Sequence, residues 1–271
     1  MSAVRSPSLP LRPLTTGELL DAAMEVTRGA GRVLLPLAFG LAVVEQLVMV
    51  WVRETFFGGS IFPWIGDIVG PAWLGVALGT GVESAIIALL GVPAARAVAA
   101  TAVGVPLRAR DLLRRRGVGS AALLVLLTFV VTFVLTLLPL GWLPAYPLMG
   151  LAVATLVIDG VGPLRALGRG VKLVLRVGGR AAVIRLLGYA AWLLLRLGFG
   201  FGAVSALDLV GIGGPWAAAA CFALVNTVAY ANLASLDAVL QLETRIRTEG
   251  LDIALARVPG PLTPQHLVVT R

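Results

Sequence analysis

The sequence predicts an all-α, polytopic membrane protein: a helix bundle of about six transmembrane helices with amphipathic interfacial helices between them. Hydrophobic residues make up 58% of the 271 residues, and charged residues only 13%, against about 25% in soluble domains. The apolar residues are gathered in blocks, several of which approach the roughly 20 residues that a bilayer-spanning helix needs. The net charge is +8, but the basic residues lie between the apolar blocks. This favours contacts with anionic lipid over binding of nucleic acid, which is not expected as a partner.

Six apolar blocks are interpreted as spans. They cover residues 33–52, 69–92, 118–138, 143–158, 182–206 and 215–240. The fourth span is short, and we expect it to form a tight hairpin with the third, because Pro139, Pro144 and Pro147 break the helix around their junction.

Charge in the connections predicts the orientation. Segments 93–117 and 159–181 are rich in arginine, whereas the alternate connections carry few charges. The positive-inside rule then places both termini in the cytoplasm. Arginines outnumber lysines 21 to 1, which indicates a GC-rich bacterial genome, so the expected location is the plasma membrane of a bacterium. The residues expected to face lipid headgroups or a partner protein are Arg108, Arg114, Arg115, Arg116, Arg165, Arg169, Lys172, Arg176 and Arg180. The six-span domain would cover 15–243, between a flexible cytoplasmic tail at 1–14 and a cytoplasmic tail at 244–271.

Three polar segments, near 15–32, 105–116 and 162–180, each precede a pair of spans, which suggests a threefold internal repeat of an amphipathic helix and a hairpin. The first opens with Thr15 and Glu18 at the spacing of a capping box. Its charges form one helical stripe of Glu18, Asp21, Glu25, Arg28 and Arg32. Such helices either lie in the headgroup region with their apolar face toward the lipid, or form the cytoplasmic ends of tilted spans.

Polar residues inside the predicted spans are candidates for ion pairs, because a charge in the bilayer is costly and normally finds a partner. These residues are Glu45, Glu83, Arg185, Arg196, Asn226 and Asp237. Counting the helical rise from the start of each span places Glu45 and Arg196 at similar depth, so this is the preferred ion pair. Glu83 is the competing partner of Arg196, and it could equally pair with Arg185 or Arg96.

Polar residues also form a stripe on each of the last two spans. The stripe on span five holds Arg185, Tyr189, Trp192 and Arg196, and the one on span six holds Asn226, Tyr230, Asp237 and Gln241. Two such stripes on neighbouring helices could line a polar cavity or pathway. They could equally form the hydrogen-bonded seam of a packed bundle.

The residues of several common active sites are missing. With His266 and Cys221 as the single histidine and cysteine, no zinc site of the His/Cys type and no Ser-His-Asp triad can be assembled. The sequence contains no phosphate-binding G-x-x-x-x-G-K-[ST] loop. We therefore expect neither enzymatic activity nor a cofactor.

Three stretches are similar to a known family. The opening RPLTTGELLDAAMEVTRGAGRVLL, the central GPLRALGRGVKLVLRVGGR and the closing LETRIRTEGLDIALA resemble actinobacterial membrane proteins grouped with the membrane domain of glycerophosphoryl diester phosphodiesterases. Glu243 stands where an Asp is usual in that family, and the central stretch lacks its common aromatic residue. The resemblance implies a stand-alone member without a hydrolase domain, so hydrolase activity is not implied. It suggests a protein that works beside other envelope components.

These observations lead to a functional hypothesis and an alternative. The hypothesis is a non-enzymatic scaffold or subunit of a membrane complex that docks partners or anionic lipid at the cytoplasmic face. Its docking tail would be formed by Glu243, Arg245, Arg247 and Glu249, although these residues could equally be an exposed helix end stabilised by neighbouring charges. The alternative is a transporter or lipid-handling protein with a polar intramembrane site around Arg196.

Overall fold

The computed structural model describes residues 9–58, 70–114 and 117–269, and this part of the chain is α-helical without a β-strand. The helices are α1 (Thr16–Gly29), α2 (Gly31–Phe56), α3 (Pro71–Ala102), α4 (Ala109–Leu112), α5 (Val118–Thr136), α6 (Trp142–Ile158), α7 (Pro163–Leu209), α8 (Pro215–Glu249) and α9 (Leu251–Ala256), followed by a 3-10 turn at Pro264–Leu267. The predicted lipid-facing residues Arg115 and Arg116 lie outside the described residues.

The helical lengths and hydropathy are those of a multi-pass membrane protein. Within the described residues, five helical segments are long and apolar enough to cross a membrane: α2, α3, α5, the 178–209 part of α7, and α8. Helix α6 is apolar but has only 17 residues, in agreement with the expected short fourth span. The predicted all-α membrane bundle is thus confirmed.

Helix α1 begins as its sequence predicts. The Thr15 hydroxyl accepts a hydrogen bond from the Glu18 N–H, and the Glu18 carboxylate accepts one from the Thr15 N–H at 2.7 Å, so the capping box is confirmed. The apolar residues Leu19, Ala23 and Val26 are buried. They lie on a helix that packs against α8, so this apolar face covers protein.

The second polar segment forms much less helix than expected. Of the described residues between 105 and 114, only the single turn Ala109–Leu112 is helical. Pro106 disfavours helical backbone at the residue before it. Gly104 and Gly117 adopt left-handed φ values of 70° and 80° on either side of the segment, which are suited to glycine because it has no Cβ. The predicted amphipathic helix at 105–116 is therefore wrong in its extent.

The third polar segment and the fifth span form one helix, α7, instead of two. Its 47 residues are more than twice the roughly 20 that are needed to cross the hydrocarbon core. Its first part must therefore extend beyond the membrane. Gly178 and Gly179, where the two parts meet, have φ values of 65° and 75°, so the backbone leaves right-handed helical geometry there.

Helix α8 is the centre of the bundle. It packs against α1, α2, α3, α6 and α7, and every residue from 229 to 246 is buried. Helices α2 and α3, α5 and α6, and α7 and α8 also pack as pairs, which matches the three hairpins of the suggested repeat. The repeat itself stays a prediction.

The segments predicted as tails are part of the packed structure where the structure describes them. Leu9 and Leu14 are buried before α1, although a flexible tail was expected at 1–14. At the other end, Leu255 and Leu267 are buried, and the Val269 N–H donates to the Asp159 carbonyl at 3.1 Å. The chain after α8 therefore folds back onto the end of α6.

Candidate functional site

The first candidate site is an intramembrane cluster formed by Glu45 of α2, Glu83 of α3, Arg196 of α7, and Asn226 and Tyr230 of α8. The Arg196 guanidinium donates to the Glu83 carboxylate at 2.7 Å. The preferred pairing of Arg196 with Glu45 is therefore wrong, and the competing partner Glu83 takes its place. Depth along a span can be counted from sequence, but the rotation of each helix about its axis cannot, and this rotation decides which acid meets the guanidinium.

Glu45 is buried and receives hydrogen bonds from neutral groups. The Tyr230 hydroxyl donates to its carboxylate at 2.6 Å and the Asn226 amide at 3.0 Å. Arg196 Nη1 also reaches the Tyr230 hydroxyl at 3.5 Å, so the two acids belong to one connected cluster. Of the other Arg196 nitrogens, Nε and Nη2 are buried without a hydrogen-bond partner within the described chain.

The second intramembrane pair joins the other two charges that the sequence singled out. Arg185 donates to both oxygens of Asp237, at 2.5 and 3.0 Å, and the predicted option of pairing Arg185 with Glu83 is not observed. The guanidinium lies 3.6 Å from the centre of the Tyr146 ring, a cation–π contact. Gly150 leaves the room for this arrangement, because a Cβ there would overlap the Arg185 side chain.

The polar stripes of α7 and α8 lie against protein. On α7, Tyr189 donates to Glu83 at 3.2 Å and Trp192 donates to Asn232 at 2.7 Å. Because Arg185 and Arg196 also find acids of the bundle, the whole α7 stripe is engaged with neighbouring helices. These contacts favour the interpretation of a hydrogen-bonded seam.

A terminal charge cluster lies where α6 ends and α8 ends. Its members are Asp159, Arg169, Arg176, Arg180, Glu243, Arg245, Arg247 and Glu249. The fully buried Asp159 accepts hydrogen bonds from Arg169 at 2.5 Å, Arg245 at 2.7 Å and Gln241 at 2.8 Å. Glu249 accepts from Arg169 at 2.6 Å and Arg176 at 3.2 Å. Sequence reasoning missed Asp159, although an acid directly after an apolar span was a usable signal.

Glu243 joins both ends of the chain in this cluster. Its carboxylate accepts from Arg180 at 3.1 Å and also from Arg247, and it receives the Leu14 N–H at 3.4 Å. Arg180 and Arg247 donate in turn to the Leu14 carbonyl at 2.8 and 2.7 Å. The three stretches that carry the family resemblance therefore meet at one place.

Two expectations change as a result. Glu243 and Arg245 of the predicted docking tail are buried and paired within the chain. Arg169, Arg176 and Arg180, which were expected to face lipid headgroups, each pair with an acid at the end of α8. The sequence shows which residues share a helical face, but the neighbour of that face depends on the packing of α7 along α8.

Four cations of the predicted set remain exposed: Arg108, Arg114, Arg165 and Lys172. Arg108 and Arg114 flank α4, and the end of the bundle that carries α4 is called the α4 end below. Arg108 and Arg114 border a cavity of about 960 Å³. Nearby, Arg96 donates to the carbonyl oxygens of Leu112 and Arg114 at 2.8 and 2.7 Å, which fixes the α4 segment against α3.

Outside the spans, an ion pair forms at the start of α1. The Arg12 guanidinium donates to the Glu18 carboxylate at 2.5 Å. This hydrogen bond, together with those from Thr15, lowers the pKa of Glu18 to about 2. Ionised Glu18 lies at the N-terminus of α1, where the helix dipole favours a negative charge.

Among the described residues, no group of three or more histidine, cysteine, aspartate or glutamate side chains is placed to hold a metal ion. Comparisons with protein-family models, with curated proteins and with solved structures found no match to this chain. The resemblance to the phosphodiesterase membrane domain stays a prediction.

Proposed function

We propose that this chain is a non-enzymatic integral membrane protein that binds anionic lipid at the cytoplasmic end of its bundle and supports other envelope proteins there. The observation that carries the proposal is the exposed set of Arg108, Arg114, Arg165 and Lys172, called the cationic patch below. Segments that contribute to the patch come together at the α4 end, because Arg108, Arg114 and Val161, just before α7, line one cavity.

The division of charges supports this proposal. The basic residues beside the end of α8 are neutralised by Asp159, Glu243 and Glu249, whereas the cationic patch is turned outward. An Arg or Lys near an anionic membrane surface contributes about 1 kcal/mol of attraction. By the positive-inside rule, an end that carries such residues faces the cytoplasm.

The test is lipid enrichment around the purified protein in vesicles of phosphatidylcholine with a minor fraction of fluorescent phosphatidylglycerol. Energy transfer from the native tryptophans to the labelled lipid should report enrichment of the anionic lipid. Replacing the four members of the cationic patch by Gln should abolish the enrichment, and raising the salt concentration should weaken it because charge contacts at the surface are screened.

The matched control keeps the charge. In it, Arg108, Arg114 and Arg165 are replaced by Lys, and Lys172 is replaced by Arg. This variant should keep the enrichment. Equal enrichment in the Gln variant and the wild type would contradict the proposal.

A second candidate function, transport or handling of a small polar ligand, is favoured by the two buried Arg196 nitrogens without a hydrogen-bond partner within the described chain. Native mass spectrometry after gentle extraction from the membrane distinguishes the two. A stoichiometric companion protein supports the scaffold. A retained small molecule that Arg196→Ala loses, in a protein that still folds, supports the ligand site.

A further inference from the structure

The cavity at the α4 end has the size and walls of a site for hydrocarbon. Its volume of about 960 Å³ lies in the range of about 300–1,000 Å³ of ligand-binding pockets. Its walls come from four helices and are mostly apolar, with Leu37 on α2, Leu89 and Val92 on α3, Ala122 on α5 and Leu156 on α6. Such walls favour an apolar chain over a polar ligand.

The border of this cavity is positively charged. Arg96, Arg108 and Arg114 line it, together with the acid Asp111. Arg108 and Arg114 are exposed on either side of α4. Arg96 donates hydrogen bonds to the carbonyl oxygens of Leu112 and Arg114, and these bonds hold the backbone at Arg114 in place. Guanidinium groups bind phosphate oxygens through strong, often paired, hydrogen bonds.

The chain after α9 forms another wall of the cavity. Thr263, Pro264, Gln265 and Val268 line it, and the adjacent Leu267 is fully buried in the main core of the protein. Its carbonyl accepts a hydrogen bond from Arg245 at 2.7 Å. The cavity therefore lies between the bundle and a packed segment, and it is half open to its surroundings.

We infer that this cavity binds one anionic phospholipid of the surrounding membrane. The acyl chain of the lipid lies between α3 and α5, and its phosphate lies at Arg108 and Arg114. The inference rests on the proposed function, since it names a defined site within the anionic-lipid binding proposed above. A zwitterionic lipid fits the walls equally well but lacks the net negative charge that the border complements.

The test is native mass spectrometry of the full chain released from nanodiscs of phosphatidylcholine and phosphatidylglycerol in equal amounts. The wild type should retain one phosphatidylglycerol per chain at collision energies that remove the other lipids. Ala122→Trp fills the cavity from α5 and should lose this retained lipid. Leu123→Trp is the matched control, because Leu123 is exposed, lies next in the chain, and is not one of the cavity-lining residues.

Two further variants distinguish loss of the lipid site from unfolding of the protein. Ala100→Leu narrows the cavity from α3 by a smaller change and should lower the retained lipid at least severalfold. Arg108→Gln with Arg114→Gln should weaken retention of phosphatidylglycerol about tenfold or more, while the corresponding Lys variants should keep it. Each variant should elute from a sizing column as the wild type does.

Three outcomes would overturn the inference: wild-type occupancy in Ala122→Trp, equal retention of phosphatidylcholine and phosphatidylglycerol, or a retained fatty acid or isoprenoid phosphate in place of the phospholipid. Failure of this inference can be distinguished from failure of the proposed function. Fluorescent phosphatidylglycerol can still be enriched around an Ala122→Trp protein, and loss of that enrichment in the four-residue Gln variant tests the cationic patch separately.

Discussion

Arg196 can remain charged in an otherwise apolar segment because Glu83 neutralises it inside the bundle. Their ion pair measures 2.7 Å, and the guanidinium also lies 5.3 Å from the centre of the Tyr189 ring and 5.5 Å from that of Tyr230. Aromatic faces stabilise a cation that has left water. Removing one partner of such a pair leaves an uncompensated buried charge.

Glu83→Gln should lower the free energy of unfolding by about 3–5 kcal/mol, the usual cost of breaking a buried pair. Glu45→Gln should cost less, because the Glu45 carboxylate is bound by the neutral donors Tyr230 and Asn226. Both are measured by unfolding in mixed detergent micelles, followed by helical circular dichroism.

Exchanging the charges tests which acid is the partner. Glu83→Arg with Arg196→Glu should recover part of the stability lost by either single change, whereas Glu45→Arg with Arg196→Glu should not. Recovery with Glu45 alone would contradict the observed pairing.

The Arg12–Glu18 pair predicts a pH dependence outside the membrane. Because the pKa of Glu18 is lowered to about 2, its stabilising contribution to α1 is complete above the ordinary carboxyl range near 4.5. This contribution is lost as the pH falls from about 4.5 through about 2. Carbon-13 NMR of the Glu18 carboxyl group in micelles should therefore show a midpoint near 2.

Arg12→Gln should raise this midpoint, since the Arg12 hydrogen bond is the largest cause of the lowered pKa. The control Arg28→Gln removes the same charge at the other end of α1 and should leave the midpoint unchanged. An equal shift in both variants would contradict a specific pair.

At the scale of the elements, the close approach of α7 to the α6 backbone at Ala152 depends on Gly170. A Cβ added to Gly170 would lie 3.0 Å from the backbone nitrogen of Ala152, whereas a Cβ on Gly168 would meet nothing within 4 Å. The two glycines lie on the same helix, two residues apart, so their intrinsic helix propensities are the same.

Gly168→Ala should stabilise the protein by up to about 1 kcal/mol, the difference in helix propensity between Gly and Ala. Gly170→Ala should be destabilising by comparison, because backbone atoms of α6 must move to admit the methyl group. Thermal unfolding of both variants in the same detergent provides the measurement. Equal gains in stability would show that the two helices pack less closely than described.

Local features of the fold could be predicted from the sequence, and features that depend on helix neighbours could not. The capping box of Thr15 and Glu18 involves residues one turn apart, so their spacing suffices. The partner of Arg196 depends on how α3 and α7 are rotated, and the burial of Glu243 depends on Leu14, 229 residues away in the chain. Apolar blocks predict spans for the same local reason. Hydropathy does not show that the polar segment and the fifth span belong to one helix, α7, with a break in right-handed geometry at Gly178 and Gly179.

At the scale of the whole molecule, the proposed orientation predicts which loops face each side of the membrane. In a Cys221→Ala background, Ile212→Cys between α7 and α8 should react with a membrane-impermeant maleimide in intact cells. Ala254→Cys on α9 should react only after permeabilisation. Both positions are exposed, so a difference in labelling reports sidedness, and the reverse pattern would contradict cytoplasmic termini.

The central position of α8 has a consequence for the order of synthesis. Helix α8 follows every other span of the described chain, yet it supplies Tyr230 to Glu45, Asp237 to Arg185 and Glu243 to Leu14. Until α8 has been synthesised, Glu45 and Arg185 lie in the membrane without these partners, and the segment before α1 lacks the residues that it binds. The segment before α1 therefore reaches its final contacts only after α8 has been made, and a chain interrupted before α8 retains unpaired charges at membrane depth.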